Sequence, residues 1–196
     1  NGSFMVSHFI IRDDVRKHGS GNAGLTNFYR TYGAKYALLV IACDMGKTVA
    51  ACLLGSFFFR CLGWDGTLGT LLAGLGCELG HIFPVFYGFR GGKGILSGGT
   101  LVLLLNWRVA AVAWALFLLL WLTTRYVSLA SITATCSAPI TVYFVYGHNW
   151  LYTGLCLAVA ALVVWCHREN IQRLLHGTEK KFKWHVNPTE GKEPPQ

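Results

Sequence analysis

Residues 95–122 read ILSGGTLVLLLNWRVAAVAWALFLLLWL, an apolar run too long for one ordinary membrane span and broken near its middle by Asn106, Trp107 and Arg108. A spanning helix needs about 20 residues, and a polar trio at mid-depth is costly in hydrocarbon. The run therefore divides into a short half-helix over residues 94–105 and a longer helix over 109–124. That division puts the trio at the interface, where tryptophan is favoured. It also sets the topology. With seven helices, Arg12, Arg16, Lys17, Arg90, Lys93, Arg125 and the basic cluster at 168–183 share one side, and Arg60 and Arg108 face the other. A single span over 95–122 would carry the basic C-terminus to the opposite face, against the positive-inside rule.

Composition supports the same class. Hydrophobic residues make up 53% of the 196 and charged residues 13%, against about 25% charged in soluble domains. Mean hydropathy is +0.43. We read an all-α, polytopic integral membrane protein of about seven transmembrane helices, with 23 glycines serving first for close helix packing. The expected spans are residues 36–59, 67–87, 127–146 and 150–166, besides the divided run. Residues 1–11 resemble the inner half of a first helix whose start is truncated. One domain is expected over residues 1–186, followed by a disordered cytoplasmic tail at 187–196. The net charge of +8 suits anionic lipid headgroups, and nucleic acid is excluded as a partner. The seven cysteines lie mostly within apolar segments without zinc-ligand spacing. Asp13, Asp14, Asp44 and Asp65 are too scattered to hold a divalent ion, so no metal is expected.

Four motifs carry the chemistry, and this topology brings them to one face. In GSGNAGLTNFYR (residues 19–30), Ser20, Gly21, Asn22, Thr26 and Asn27 offer donors and acceptors, and Arg30 can hold a phosphate with two parallel bonds. Taken alone, this stretch reads equally well as a solvated turn with helix caps. In GHIFPVFYGFRGGKG (residues 80–94), Gly91, Gly92 and Gly94 surround Lys93, and glycines let successive backbone N–H groups point into one concavity beside the ammonium. The bland reading is a juxtamembrane lysine reaching for the interface. His81 is either an acid–base group or a structural hydrogen-bonding residue. Ser128 and Ser131 lie one helical turn apart beside Arg125. His167 and Asn170 share nearly one helix face, and the positive-inside rule does not account for that asparagine. Asp44 and Lys47, at i and i+3 inside a span, form either a functional site or a neutralised pair joining helices.

Together GSGNAGLTNFYR, GHIFPVFYGFRGGKG, SLASITAT (residues 128–135) and HRENIQRLL (residues 167–175) resemble the PlsY family of bacterial acyl-phosphate-dependent glycerol-3-phosphate acyltransferases. The resemblance implies transfer of a fatty acyl group from acyl phosphate to the sn-1 hydroxyl of glycerol 3-phosphate. The products are lysophosphatidic acid and phosphate, in the first step of phospholipid synthesis. It implies a multi-pass protein of the bacterial cytoplasmic membrane, with the active site and C-terminus on the cytoplasmic side. Its partners are the two substrates, membrane lipids and the enzyme that produces the acyl phosphate. The family's contacts fall on Ser20, Asn22, Arg30, Lys93, Ser131, His167 and Asn170. Lys93, Arg30, His167 and Asn170 are the expected catalytic residues. Transfer is expected to be direct, without an acyl-enzyme, and the resemblance implies no cofactor, since acyl phosphate is a mixed anhydride with its own good leaving group. Two proton acceptors stand open, a substrate phosphate oxygen and His167. A membrane transporter of organic phosphates is the alternative, and inverted repeats, which would favour it, are not seen.

Overall fold

The computed structural model describes residues 1–182; the tail expected at 187–196 lies outside them. Among the described residues every regular element is helical. Helix α1 (Gly2–Met5), capped by the Asn1 side chain, runs into π-helical turns over Val6–Ile11. Then come α2 (Leu25–Tyr32), α3 (Ala34–Cys61), α4 (Gly66–Ile82), α5 (Ile95–Leu105), α6 (Trp107–Thr124), α7 (Val127–Val145), α8 (Trp150–Cys166) and α9 (Arg168–Leu175).

Among the described residues, four segments are long and apolar enough to cross a membrane: Ala34–Cys61, Gly66–Tyr87, Trp107–Thr124 and Val127–Val145. Helices α8 and α9, bent by 59°, qualify together, and Gly2–Ile11 and Ile95–Leu105 are shorter apolar helices. The expected count of seven is reached only when both short segments are included, and their length alone does not make them spans.

The divided run breaks where the polar trio stands. Asn106 is extended, at φ −165° and ψ 130°, and its side chain accepts the Arg108 N–H at 2.9 Å, so it caps α6. Helix α6 starts at Trp107, two residues earlier than expected, because the cap is the first residue of the trio. The Tyr146 hydroxyl donates to the Leu105 carbonyl at 2.7 Å and so satisfies one orphan acceptor at the end of α5. The helix expected to run to residue 87 stops at Ile82 instead. Pro84 disfavours helical backbone at Phe83 and removes a donor, and a single 3₁₀ turn, Val85–Tyr87, follows.

Packing follows membrane logic. Helices α3 and α4 meet backbone to backbone, since a methyl group at Gly69 would lie 2.8 Å from the Gly55 carbonyl carbon. Leu71, Val102, Val109, Ala113, Val142 and Cys156 form one buried cluster joining α4 to α8. Leu53, Phe57, Leu119, Leu122, Ile140 and Phe144 face outward, as residues against lipid do. The α5 and α7 N-termini, the α8 C-terminus, α2 and α9 gather at one end of the bundle.

Candidate active site

A cavity of about 690 Å³ opens at that end and runs inward between the helices. Its outer part is lined by Ser20, Asn22, Thr26, Asn27, Arg30, His81, Lys93, Gly94, Ser128, Ser131, His167 and Asn170. Its inner part is apolar, with Leu101, Val102, Ala113, Trp114, Phe117, Ala138, Val159, Ala160 and Val163. Twelve of the fifteen residues expected from sequence therefore border one space. Gly21, Gly91 and Gly92 do not.

Those three exceptions correct the reading of the glycines. Gly91 N–H donates to the Ile82 carbonyl at 3.0 Å and Gly92 N–H to the His81 carbonyl at 3.3 Å, so neither amide is turned toward a ligand. They are glycine because the loop lies flat on the end of α4. A methyl at Gly91 would collide with the His81 carbonyl oxygen and lie 2.8 Å from Pro84 Cδ, and one at Gly92 would lie 2.8 Å from the Ala23 oxygen. Gly94 differs, with φ 81° in the left-handed region, where it turns the chain from Lys93 into α5. Gly21 N–H is likewise engaged, by the His18 carbonyl at 3.0 Å.

Asn27 borders the cavity but serves its own loop. Its Nδ2 lies within hydrogen-bond distance of the Val15, His18 and Asn22 carbonyls, at 3.1, 3.0 and 3.0 Å, and its Oδ1 accepts Ser20 N–H at 2.9 Å. It therefore fixes the shape that presents Ser20 and Asn22.

Lys93 Nζ donates to Asn170 Oδ1 from the loop before α5. Burial, and then the nearby Arg173 charge, push the Lys93 ammonium below its ordinary pKa. His167 sits at the bend between α8 and α9. Its Nδ1 faces the Val163 carbonyl at 2.8 Å, and because a carbonyl only accepts, the Nδ1 bears the proton. Nε2 of a neutral His167 then has a lone pair to offer.

Sequence reasoning missed two carboxylates. Glu179 folds back beneath the cavity. Its Oε1 accepts from the Ser128 hydroxyl and from Asn170 Nδ2, both at 2.7 Å, and its Oε2 accepts from Arg173 Nε at 2.8 Å. Arg30 Nη2 reaches the adjacent Lys180 carbonyl at 3.4 Å, and Phe182 N–H donates to the Arg125 carbonyl at 2.8 Å. The only sequence signal was a single acid among Lys180, Lys181 and Lys183. The second is Glu78 on α4, buried against Gly94 and Gly98, with both oxygens unpartnered among the described residues. A carboxylate in an apolar segment was its signal.

Glu179 ties α7, α9 and the following strand of chain together, so its loss should loosen all three. Arg173 and the hydrogen bonds from Ser128 and Asn170 hold its carboxyl below the ordinary 4.5, against a desolvation that acts the other way and is the largest single influence. A lowered folded pKa means that this stabilisation is complete above about 4.5 and fades as pH falls through the lower folded value. Amide exchange over residues 178–182, measured relative to the intrinsic rate at each pH, is expected to be slow at pH 6–7 and, by that measure, to quicken as pH falls below about 4.5. In Glu179→Ala it should be fast throughout, and pH-independent protection in the parent protein would refute the assignment.

A family model described as glycerol-3-phosphate acyltransferase matches residues 1–177. The glycerol-3-phosphate acyltransferase of Syntrophomonas wolfei subsp. wolfei is 39% identical over 180 residues, covering 92% of this chain and 89% of the relative. That of Aquifex aeolicus is 41% identical over 169 residues, covering 86% and 85%. Two crystal structures of PlsY (YgiH), an integral membrane glycerol 3-phosphate acyltransferase, have the same fold. The glycerol 3-phosphate form aligns with a TM-score of 0.81 at 38% identity, covering 93% of this chain and 90% of that one. The lysophosphatidic acid form aligns at 0.78 and 37%, with the same coverage.

Proposed function

Because this chain belongs to the glycerol-3-phosphate acyltransferase family, we propose that it moves a fatty acyl group from acyl phosphate directly to the sn-1 hydroxyl of glycerol 3-phosphate. The observation that carries the reading is the two-part cavity, whose cationic, hydroxyl-rich end continues into an apolar interior. Such a space suits a phosphorylated head joined to an acyl chain. The acyl chain lies along Val102, Trp114, Ala138, Val159 and Ala160. Lys93, Arg30, Ser20, Asn22 and Ser131 hold the two phosphates, and Ser128, engaged by Glu179, shapes the wall beside them.

The acceptor hydroxyl attacks the acyl carbonyl carbon, a C–O ester bond forms, and the bond between that carbon and the phosphate oxygen breaks. The pair of electrons leaves with phosphate. Holding the hydroxyl against the carbonyl supplies proximity, and Lys93 with Arg30 opposes the charge growing on the carbonyl oxygen and the departing phosphate. A phosphate oxygen takes the proton of the attacking sn-1 hydroxyl, and His167, with Nδ1 held by Val163, accepts from the neighbouring sn-2 hydroxyl through Nε2 and so orients the glycerol. No acyl-enzyme is required, since the mixed anhydride is already an activated donor. In the cell, residues 1–186 act as one domain in the cytoplasmic membrane, and the cavity opens toward the cytoplasm, where glycerol 3-phosphate and the acyl-phosphate-producing enzyme are found.

The test is phosphate release from purified protein given palmitoyl phosphate, with and without glycerol 3-phosphate. Acceptor-dependent release with formation of lysophosphatidic acid is expected. Uptake of glycerol 3-phosphate into proteoliposomes without release would overturn the reading in favour of transport. Loss of turnover at saturating substrates in His167→Ala would move the base from phosphate to His167.

A further inference from the structure

The acyl-transfer reading leaves one buried ionic cluster unused, on the wall behind Lys93. On α3, Asp44 is 1% exposed and Lys47 lies one turn further along. On α4, His81 is 5% exposed. Lys47 Nζ is 2.8 Å from Asp44 Oδ1 and 2.6 Å from His81 Nδ1, whereas Asp44 Oδ1 is 3.4 Å from the same Nδ1. Asp44 Oδ1 also accepts the Gly2 N–H at 2.9 Å. Both Asp44 and His81 border the cavity. The other ring nitrogen of His81, Nε2, abuts Gly92, one residue before Lys93, and no hydrogen bond among the described residues engages it.

Elementary hydrogen-bond chemistry limits the protons this geometry can hold. An ammonium only donates, so if Lys47 is charged, Nδ1 of His81 must be a bare acceptor and the ring is neutral with its proton on Nε2. The opposite arrangement makes Lys47 a neutral amine that accepts from Nδ1–H. It would strip the buried Asp44 carboxylate of its cation at 2.8 Å, and breaking a buried pair in that way is strongly destabilising. The distances favour the first arrangement, since the short contact to Nδ1 comes from Lys47, not Asp44.

We infer that Lys47 is a positioning residue: by donating to Nδ1 it holds His81 neutral with the proton on Nε2, so that His81 presents a donor behind the Gly92–Lys93 loop. His81 is then a hydrogen-bond donor to an anionic oxygen held at Lys93, and it has no lone pair with which to take the acceptor's proton. Without Lys47, Asp44 is the remaining partner for Nδ1 and would draw the proton there. Nε2 would then turn a lone pair toward the phosphate.

This inference rests on the acyl-transfer reading for its kinetic part only, because the tautomer can be read without substrate. The measurement is a nitrogen–proton correlation spectrum of protein carrying ¹⁵N-histidine in detergent micelles at neutral pH, with His81 assigned by its loss in His81→Gln. A pyridine-type Nδ1 and a pyrrole-type Nε2 are expected. A pyrrole-type Nδ1, or an imidazolium with both nitrogens protonated, would overturn the assignment. In Lys47→Met the proton is expected to move to Nδ1, and KM for glycerol 3-phosphate to rise about tenfold, the loss of one charge-assisted hydrogen bond, with kcat changing less. Lys47→Arg keeps a donor and should restore the Nε2–H form. An unchanged tautomer and KM in Lys47→Met would also overturn the inference. Absence of acyl transfer in the parent protein, with the expected tautomer present, would sink the proposed function and leave the proton assignment standing.

Discussion

Lys93→Met is expected to lower kcat for acyl transfer by about 10²–10³-fold, the range found when one donor to a developing negative charge is removed from a closed site. Methionine keeps most of the apolar stem, so the substitution isolates the ammonium from its packing. Within the site that ammonium is tied to Asn170, which is held in turn by Glu179. The chain of bonds fixes where the charge stands before substrate arrives. Lys93→Arg should fare little better, because a planar fork cannot occupy the place of a compact point charge without displacing Asn170. Since burial depresses the Lys93 pKa, the cation is lost at lower pH than from a free lysine. The alkaline limb of kcat/KM should accordingly turn down below 10.5, and it should be missing from the residual activity of Lys93→Met. Residual turnover within tenfold of the parent would remove Lys93 from the chemistry.

The division of the long apolar run was legible because it is written in local terms. Asn106 is both the polar interruption and the cap of α6, so hydropathy and capping mark the same position. The boundary at Ile82 was missed because the apolar pattern continues through Val85 and Phe86. What stops the helix there is Pro84, whose effect is on backbone geometry instead of polarity.

The site was legible to the extent that its residues sit at helix ends. Topology alone brings Lys93, Ser128, His167 and Asn170 to one end of the bundle. Glu179 was not legible, since its bond to Ser128 joins residues 51 apart and no periodicity announces such a return. The Asp44–Lys47 pair was visible, being one turn apart, but its third member, His81, lies 34 residues beyond Lys47. The glycines of GGKG were misread for a different reason. A glycine that offers its N–H to a phosphate and one that lets two backbones touch are identical in sequence, and only packing separates them.

That distinction predicts an unequal response among the glycines. Gly91→Ala should lower kcat/KM for glycerol 3-phosphate by more than about a hundredfold, and Gly88→Ala should leave it nearly unchanged. A methyl at Gly91 meets the His81 and Ile82 carbonyl oxygens and Pro84 Cδ, which are backbone or ring atoms that cannot swing aside. The loop must lift from the end of α4 and take Lys93 with it, and a displacement of about 1 Å in a positioned catalytic group is enough to cost about 10²-fold. Gly88 has φ 67° but nothing within 4 Å of an added methyl, so alanine there meets only the left-handed backbone penalty of about 1–2 kcal/mol. That penalty is paid in stability, and Gly88→Ala should melt earlier with its kinetics intact. Gly91→Ala should keep its helical circular dichroism while losing activity. If the two variants lose activity equally, the glycines serve backbone conformation alone, and the close packing of the loop against α4 is not what positions Lys93.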